Sequence, residues 1–229
     1  MPTLLAIETT TDICSVAISD GTSVTAVCED VPPEGHAAVI TRYIERCLQT
    51  AQLTLSDIDA LAVSIGPGSY TGLRVGASVA KGISYALQKP IIGVSTLMAL
   101  AQAAQNKCTN SAAIYCPMID ARRMEVYTQL FRGDMTPLTA TTAKVIDENS
   151  YREYFDEQEA IVFCGNGAPK CQAVIVHPQA HFEPILCSAK HLITPAIQQY
   201  LATDFLDVAY FEPFYFKAPN ITTPKKVLG

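Results

Sequence analysis

The chain has 229 residues, of which 49% are hydrophobic and 17% are charged, and its formal net charge at pH 7 is −6. Soluble domains usually carry about 25% charged residues, so either much of this chain is core or part of its surface is covered by something else. The apolar content excludes a disordered chain, and the acidic balance argues against stand-alone nucleic-acid binding.

We predict neither a targeting segment nor a membrane span. The first basic residue is Arg42, so the start of the chain lacks the positive charge of a secretory signal. The longest uncharged run, 90–106, is too short and too polar to cross a bilayer. The eight cysteines form no CxxC pair and lie mostly in apolar runs, which favours reduced, partly buried thiols. We therefore expect a cytoplasmic protein with no membrane partner.

The first half of the chain alternates strands and helices. Three strands in meander order open it, and Asp20-Gly21 marks a hairpin turn between the second and third. Apolar residues at helical spacing then predict a helix over 36–51. A continuous apolar strand, a glycine-rich turn, a helix, a strand and a further helix follow, over 60–65, 66–71, 72–88, 90–94 and 96–105.

After a polar break at 106–111, the second half restarts in the same manner. Its predicted strands and final helix cover 114–119, 124–131, 160–164, 174–176 and 188–203. Glu8 and Asp120 end the first strand of each half, so we predict a structural repeat. The fold class is α/β with two similar lobes, each a mixed sheet flanked by helices. We place the domains at 1–108 and 109–229, and the terminal helix is a candidate to pack back on the first lobe.

The acid-tipped turn Glu8-Thr9-Thr10 is similar to a phosphate-binding hairpin, in which hydroxyl and backbone N–H groups approach a nucleotide. It lacks the glycine that lets a backbone come close to phosphate. The alternative, a strand end whose threonine hydroxyls cap turn amides, is equally favoured. We take Glu8, Thr9, Thr10 and Asp120 as candidates for a remnant anion or nucleotide site.

The stretch 66–74, Gly-Pro-Gly-Ser-Tyr-Thr-Gly-Leu-Arg, is the most specific pattern. It lacks P-loop spacing and reads as a strand end, a tight turn and a helix start. Thr71 is the expected N-cap, and Ser69 and Thr71 join the candidate anion site. Behind them, small residues recur every four positions, at Gly72, Gly76, Ala80 and Ser84. That stripe indicates either close approach of a partner helix or tight packing within one lobe.

The remaining motifs do not indicate a catalytic or metal-binding site. His177 and His181 have HxxxH spacing, but Pro178 lies between them and no carboxylate completes a metal site. No catalytic triad is legible, so we predict neither catalytic nor metal-binding residues. The basic end, Lys217 with Lys225 and Lys226, is either a solvated tail or a contact for a phosphate backbone within a larger assembly.

Several of these segments together resemble a known family. Residues 4–18, 64–76, 119–122, 165–168 and 212–215 fall in the order seen in bacterial tRNA threonylcarbamoyladenosine biosynthesis proteins of the TsaB (YeaZ) type. The resemblance covers essentially the whole chain, and the Gly-Pro-Gly-Ser-Tyr-Thr-Gly-Leu-Arg segment is its most specific part. It implies an actin-like (ribonuclease H-like) fold of the sugar kinase–Hsp70–actin type.

The resemblance also implies a function. Such proteins take part in attaching threonylcarbamoyl to the adenosine next to the anticodon of tRNAs that read codons beginning with A. The TsaB-type subunit is non-catalytic and supports a TsaD-type paralogue, which holds the metal and ATP or ADP; a TsaE-type ATPase joins them, and tRNA is met through the complex. At the positions of the paralogue's metal-binding histidines this chain has Thr96 and Leu100, so we expect no cofactor on it.

In that family the pairing face is formed by the helices that correspond to 36–51 and 72–88. We therefore expect a partner surface on these residues: Val39, Tyr43, Arg46, Gly72, Leu73, Gly76 and Ala80. A homodimer of the isolated chain through the same face is a further expectation. The alternatives are an independent ATPase or kinase on the same fold and an M22-type metallopeptidase, the latter disfavoured by the missing metal ligands.

Overall fold

The first lobe is built on a mixed sheet of five strands, seen in a computed structural model that describes residues 1–108, 110 and 112–217. The strand order is β3-β2-β1-β4-β5. The first three strands pair antiparallel, and β4 and β5 add in parallel. The strands are β1 Leu4–Glu8, β2 Cys14–Ser19, β3 Val24–Asp30, β4 Ala60–Gly66 and β5 Ile91–Ser95.

The second lobe repeats this topology in the order β10-β9-β6-β7-β8. Here β6, β7 and β8 form the antiparallel meander, while β9 and β10 are parallel to β6. Glu8 and Asp120 are the last residues of the equivalent strands β1 and β6, so the predicted fold class and repeat are confirmed. The strands are β6 Ile114–Asp120, β7 Glu125–Thr128, β8 Thr142–Val145, β9 Ile161–Cys164 and β10 Ala180–Phe182.

The predicted strand at 174–176 is wrong. These residues form a turn in which the amides of Val174 and Ile175 both donate to the Cys171 carbonyl. Ile175 is buried in the core of the second lobe, whereas Val176 is exposed. A three-residue apolar run is too short to distinguish a strand from a turn that buries one side chain.

The helices are long in the first lobe and short in the second. The helices α1 His36–Ala51, α2 Tyr70–Leu87 and α3 Thr96–Cys108 contrast with α4 Arg152–Asp156 and α5 Ala168–Cys171. The predicted single helix over 188–203 divides into a 3-10 turn, Ala189–Leu192, and the helix α6 Ile193–Leu201. Pro195 explains the division, because it lacks the N–H that a continuous helix would direct to the carbonyl four residues earlier.

Two of the helices pack across the lobe boundary. On α3, Leu97, Leu100 and Ala104 join the core of the second sheet. Conversely, Ile193 and Ala196 of α6 pack against the first sheet, on the face opposite α1 and α2. A cut between residues 108 and 109 therefore separates the two sheets but not two independent cores.

The small-residue stripe of α2 faces the sheet of its own lobe. A Cβ placed on Gly72 would overlap the carbonyl oxygen of Thr9, and one on Gly76 would lie 2.5 Å from Thr9 Oγ1. The Thr9 hydroxyl donates to the Gly72 carbonyl at 2.8 Å. Of the two interpretations of the stripe, tight packing within one lobe is therefore the correct one.

Two glycines of α2 provide a matched test of this packing. We expect Gly72→Ala to lower the free energy of unfolding by about 1–3 kcal/mol, because the added methyl group collides with the backbone of Thr9. In the same helix Gly82 has open space around it, so Gly82→Ala should raise that free energy by up to about 1 kcal/mol. Urea unfolding measures both, and equal stabilities for the two variants would contradict the assigned packing.

Candidate functional site

The first acid of the predicted anion site, Glu8, is buried at the end of β1. Its Oε1 atom accepts hydrogen bonds from the amide of Thr10 at 2.6 Å and from the Thr10 hydroxyl at 2.5 Å. Burial raises the pKa of the Glu8 carboxyl above its ordinary value, and the bonds from Thr10 oppose that rise. The carboxyl group therefore already has internal donors.

The turn that follows Glu8 is packed against the glycine-rich turn. The Thr10 carbonyl accepts from the amide of Ser69 at 2.7 Å, and a Cβ on Gly68 would lie 2.5 Å from Thr10. On its other side, Thr10 Oγ1 lies 3.9 Å from the sulfur of Cys187 in the second lobe. The structure thus brings together four of the predicted anion-binding residues: Glu8, Thr9, Thr10 and Ser69. Their hydrogen bonds, however, are made within the chain.

The predicted cap of α2 needs correction. The helix begins at Tyr70, and its N-cap is Ser69, whose side chain accepts from the amide of Gly72 at 3.3 Å. Thr71 lies one residue inside the helix and is exposed. Its hydroxyl therefore belongs to the outer surface of α2 rather than to the turn.

The second acid, Asp120, makes its contacts within the second lobe. Its Oδ1 atom accepts from the amide of Arg122 at 2.8 Å and from the ammonium group of Lys170. Lys170 also donates to the carbonyl of Glu125 at 2.7 Å, and the amide of Asp120 donates to the side chain of Asn166 at 3.0 Å. This carboxylate, too, is engaged by donors of the chain itself.

Five of the seven predicted partner-binding residues are buried in this chain, and four of the five belong to α2. Gly72, Leu73, Gly76 and Ala80 are buried between α2 and its own sheet. The expectation of a partner surface here came from the family resemblance, because the spacing of the stripe indicates close approach but not which element approaches.

The other three predicted partner-binding residues lie on the flank of α1 that faces away from α2. Val39 is also buried, Tyr43 is half-buried and Arg46 is exposed. They line a concavity of 360 Å³ together with residues that precede α1, among them Pro32, Pro33 and Glu34.

An apolar groove of 380 Å³ lies between the outer faces of α1 and α2. Val75 and Val79 of α2, both half-buried, contribute apolar surface to it, while Thr71 and Arg74 are exposed. Its lining residues are Ala37, Ile40, Thr41, Tyr70, Thr71, Arg74, Val75, Ser78 and Val79. The signal for this groove was present in the sequence, because Val75 and Val79 are apolar, lie four residues apart on the predicted helix and precede Gly76 and Ala80 of the small-residue stripe by one residue each.

The segment 206–217, which we call the strap, links the groove to the second lobe. It starts at the edge of the first sheet, where Leu206 pairs with Ile91. Further on, the ring of Tyr215 lies 4.7 Å from that of Tyr70 at the groove. Its last described residue, Lys217, forms an ion pair with Glu125; Lys225 and Lys226 lie outside the described residues.

The remaining candidates add no site. His177 stacks on Phe155 with ring centroids 4.3 Å apart, and His181 is exposed. Within residues 1–108, 110 and 112–217, no cluster of three or more histidine, cysteine or acidic side chains is arranged to hold a metal ion. Over the same residues, no helix is both long enough and apolar enough to span a bilayer.

Comparison with known proteins gives consistent matches. The family model of TsaD, tRNA N6-adenosine threonylcarbamoyltransferase, matches residues 30–209. The chain is 43% identical over 131 residues to the tRNA threonylcarbamoyladenosine biosynthesis protein TsaB of Escherichia coli (strain K12), covering 57% of this chain and 55% of that protein. It is 33% identical over 153 residues to the protein of the same name from Buchnera aphidicola subsp. Schizaphis graminum, covering 63% and 71%.

The chain thus spans little more than half the length of the Escherichia coli relative. Among solved structures, an uncharacterized protein with similarity to peptidase YEAZ from Pseudomonas aeruginosa superposes with a TM-score of 0.82 and 28% identity. That superposition covers 95% of this chain and 100% of the other.

The buried carboxyl group of Glu8 predicts a pH effect on stability. Because its pKa is raised in the folded chain, the folded state holds the proton more tightly than the unfolded state, where the pKa is 4.5. Ionisation of Glu8 therefore subtracts from the free energy of unfolding as pH rises from about 4.5 to the folded pKa. We expect wild type to lose stability relative to Glu8→Gln over that window, measured by urea unfolding at each pH. Parallel curves for the two proteins would contradict the assignment.

Proposed function

This chain belongs to the TsaD family and, within it, to the TsaB type, and we propose that it acts as a non-catalytic subunit in the synthesis of threonylcarbamoyladenosine in tRNA. Its part is to bind and support a TsaD-type paralogue. The observation that carries the proposal is the apolar groove between α1 and α2, because the outer face of α2 is the part of that helix left for a partner once the small-residue stripe is assigned to the core.

The composition of the groove suits a protein partner. Val75 and Val79 give it an apolar centre, and Thr41, Arg74 and Ser78 are exposed around them. An apolar centre within a polar rim is the usual anatomy of a protein–protein interface. Each of the two helices also contributes side chains to the groove, between which the ridge of a partner helix can pack.

Only the first lobe offers such a surface within the described residues. The helices of the second lobe that correspond to α1 and α2 are α4, with 5 residues, and α5, with 4. They are too short to form a comparable groove. A partner that packs a helix against helices of this chain therefore binds the first lobe. When the paralogue is absent, a second copy of the chain competes for the same groove.

The non-catalytic role is supported by the hydrogen bonds of the two acidic residues at the strand ends. Glu8 accepts from Thr10, and Asp120 accepts from Lys170. The glycine-rich turn packs Gly68 directly against Thr10, so it fills the space on that side of the candidate phosphate-binding hairpin. These residues do not fit a magnesium-bound nucleotide, so we place ATP or ADP and the metal on the partner.

The positions matched to the paralogue's metal ligands agree with that assignment. Thr96 and Leu100 are buried at the start of α3, and Leu100 belongs to the core of the second lobe. Neither supplies a metal-binding nitrogen. By the same resemblance, a TsaE-type ATPase is a further partner, and tRNA is met through the complex.

Two exposed positions of α2 test the groove. Ser78 lines it, whereas Ala86 is exposed on the same helix outside it. We expect Ser78→Arg to weaken binding of the TsaD-type paralogue at least tenfold, about 1.4 kcal/mol, because a long charged side chain would enter an apolar contact. Ala86→Arg adds the same charge and should bind as wild type. Calorimetric titration measures both affinities, and thermal unfolding should be unchanged in both variants.

Equal affinities of the two variants for the paralogue would argue against the groove as the contact surface. Turnover of ATP by the isolated chain, abolished by Asp120→Ala, would argue against the non-catalytic role itself. The two outcomes are independent, because Asp120 lies in the second lobe, outside the groove.

A further inference from the structure

The turn between β6 and β7, residues 120–125, gathers positive charge on a chain that is acidic as a whole. Arg122 and Arg123 are exposed in it, and two lysines reach it from other segments. Lys170 pairs with Asp120, and Lys217 pairs with Glu125. Four cations against two carboxylates leave a local charge of +2, whereas the chain carries −6.

The backbone of this turn holds the two arginines in an uncommon conformation. Arg122 has φ 71° and Arg123 has φ 52°, both in the left-handed region, at a cost of about 1 kcal/mol or more each. The turn is closed by hydrogen bonds from the Glu125 amide to the Arg122 carbonyl and from the Ala121 amide to the Glu125 carbonyl. These bonds, with the Asp120 acceptor described above, hold both arginines in place.

The side chains of the two arginines differ from those of the two lysines in their contacts with carboxylates. Among the residues that the structure describes, neither guanidinium group forms an ion pair or a hydrogen bond. Lys170 and Lys217, by contrast, each use a carboxylate of the turn. The charge available to a ligand is therefore that of Arg122 and Arg123.

The strap places this turn beside the proposed partner groove. Tyr215 of the strap contacts Tyr70 at the end of the groove, and the next residue, Phe216, packs on Tyr127 of β7 with ring centroids 5.4 Å apart. At the groove itself, the guanidinium group of Arg74 lies 5.7 Å from the centre of the Tyr70 ring. The turn and the groove are thus joined by three consecutive residues of one segment.

We propose that Arg122 and Arg123 contact the sugar–phosphate backbone of the tRNA while it is held by the complex. The inference rests on the proposed function, which supplies the RNA. The planar guanidinium group matches the geometry of phosphate oxygens. Phosphate contacts need charge and little apolar surface. The turn offers charge, because its arginines are exposed whereas Ala121 and Met124 are half-buried. An acidic protein would need an apolar centre as well.

The two proposed arginine–phosphate contacts add to an affinity for tRNA that the other subunits supply. Each phosphate contact contributes about one unit to the slope of log affinity against log salt. A chain with only two such contacts and a net charge of −6 has too little positive surface to retain RNA by itself. The acidic composition and the RNA contact are therefore compatible.

The test uses the complex of the full chain with its TsaD-type paralogue and an unmodified tRNA transcript. Arg122→Gln with Arg123→Gln removes both charges, and glutamine suits the backbone because Gln52, Gln88 and Gln158 already adopt positive φ in this chain. Binding is measured over a series of salt concentrations. We expect the salt slope to become shallower by about 2, with weaker binding at low salt.

The matched control removes two arginines elsewhere in the same lobe. Arg132 follows Phe131, which pairs with Tyr115 near the start of β6, at the opposite end of that strand from the turn. Arg152 lies in α4 and bonds to Asn149. Arg132→Gln with Arg152→Gln should leave the salt slope unchanged, and Arg122→Lys with Arg123→Lys should retain it, since the charge is kept.

Any other result of these salt titrations would overturn the proposal. An unchanged slope in the Arg122, Arg123 variant excludes the phosphate contact, as does an equal change in the control. Loss of the paralogue from that variant, with the control complex intact, would mean that the turn contacts protein. If wild type itself binds no paralogue, the proposed function fails first. Should the double variant fold poorly, Arg123→Gln alone must lower the slope by about 1.

Discussion

The seating of α2 on the turn after β1 is the contact on which the rest of the structure depends. Gly72 and Gly76 let the helix lie against Thr9, and the Thr9 hydroxyl bonds to the helix backbone. The same approach brings the Ser69 amide onto the Thr10 carbonyl. The hydroxyl groups of Thr9 and Thr10 and the amides of Thr10 and Ser69, which could otherwise bind an anion, are bonded within the chain. The packing of α2 on this turn therefore has two consequences: it closes the turn, and it leaves only the outer face of α2 for a partner.

The asymmetry of the two lobes follows from different helices on the same sheet topology. The two sheets share strand order and direction, yet α1 and α2 have 16 and 18 residues while their counterparts α4 and α5 have 5 and 4. The exchange of α3 and α6 between the lobes ties the sheets together through buried side chains. A duplicated scaffold thus carries a helix-lined surface in one lobe and an arginine-bearing turn in the other.

The elements with strong periodicity were the most predictable from sequence, and contacts between distant segments the least. The spacing of apolar residues placed α1 at 36–51, as observed, and the matching positions of Glu8 and Asp120 indicated the repeat. The stripe at Gly72 and Gly76 showed that something approaches closely, but spacing alone carries no information on whether that is a sheet or a partner. The strap escaped prediction because single pairs such as Leu206 with Ile91 leave no periodic pattern.

The thin surface charge and the acidic balance have separate physical meanings. The scarcity of charge reflects two sheets that pack apolar side chains on both faces, together with a groove whose centre at Val75 and Val79 is apolar. The net charge of −6 is a sum over the whole chain, but at physiological ionic strength a phosphate responds mainly to charges within about 8 Å. At the turn between β6 and β7 it would meet Arg122 and Arg123, with Asp120 and Glu125 already neutralised by lysines. An acidic subunit can therefore present a locally positive contact to RNA when another protein supplies most of the affinity.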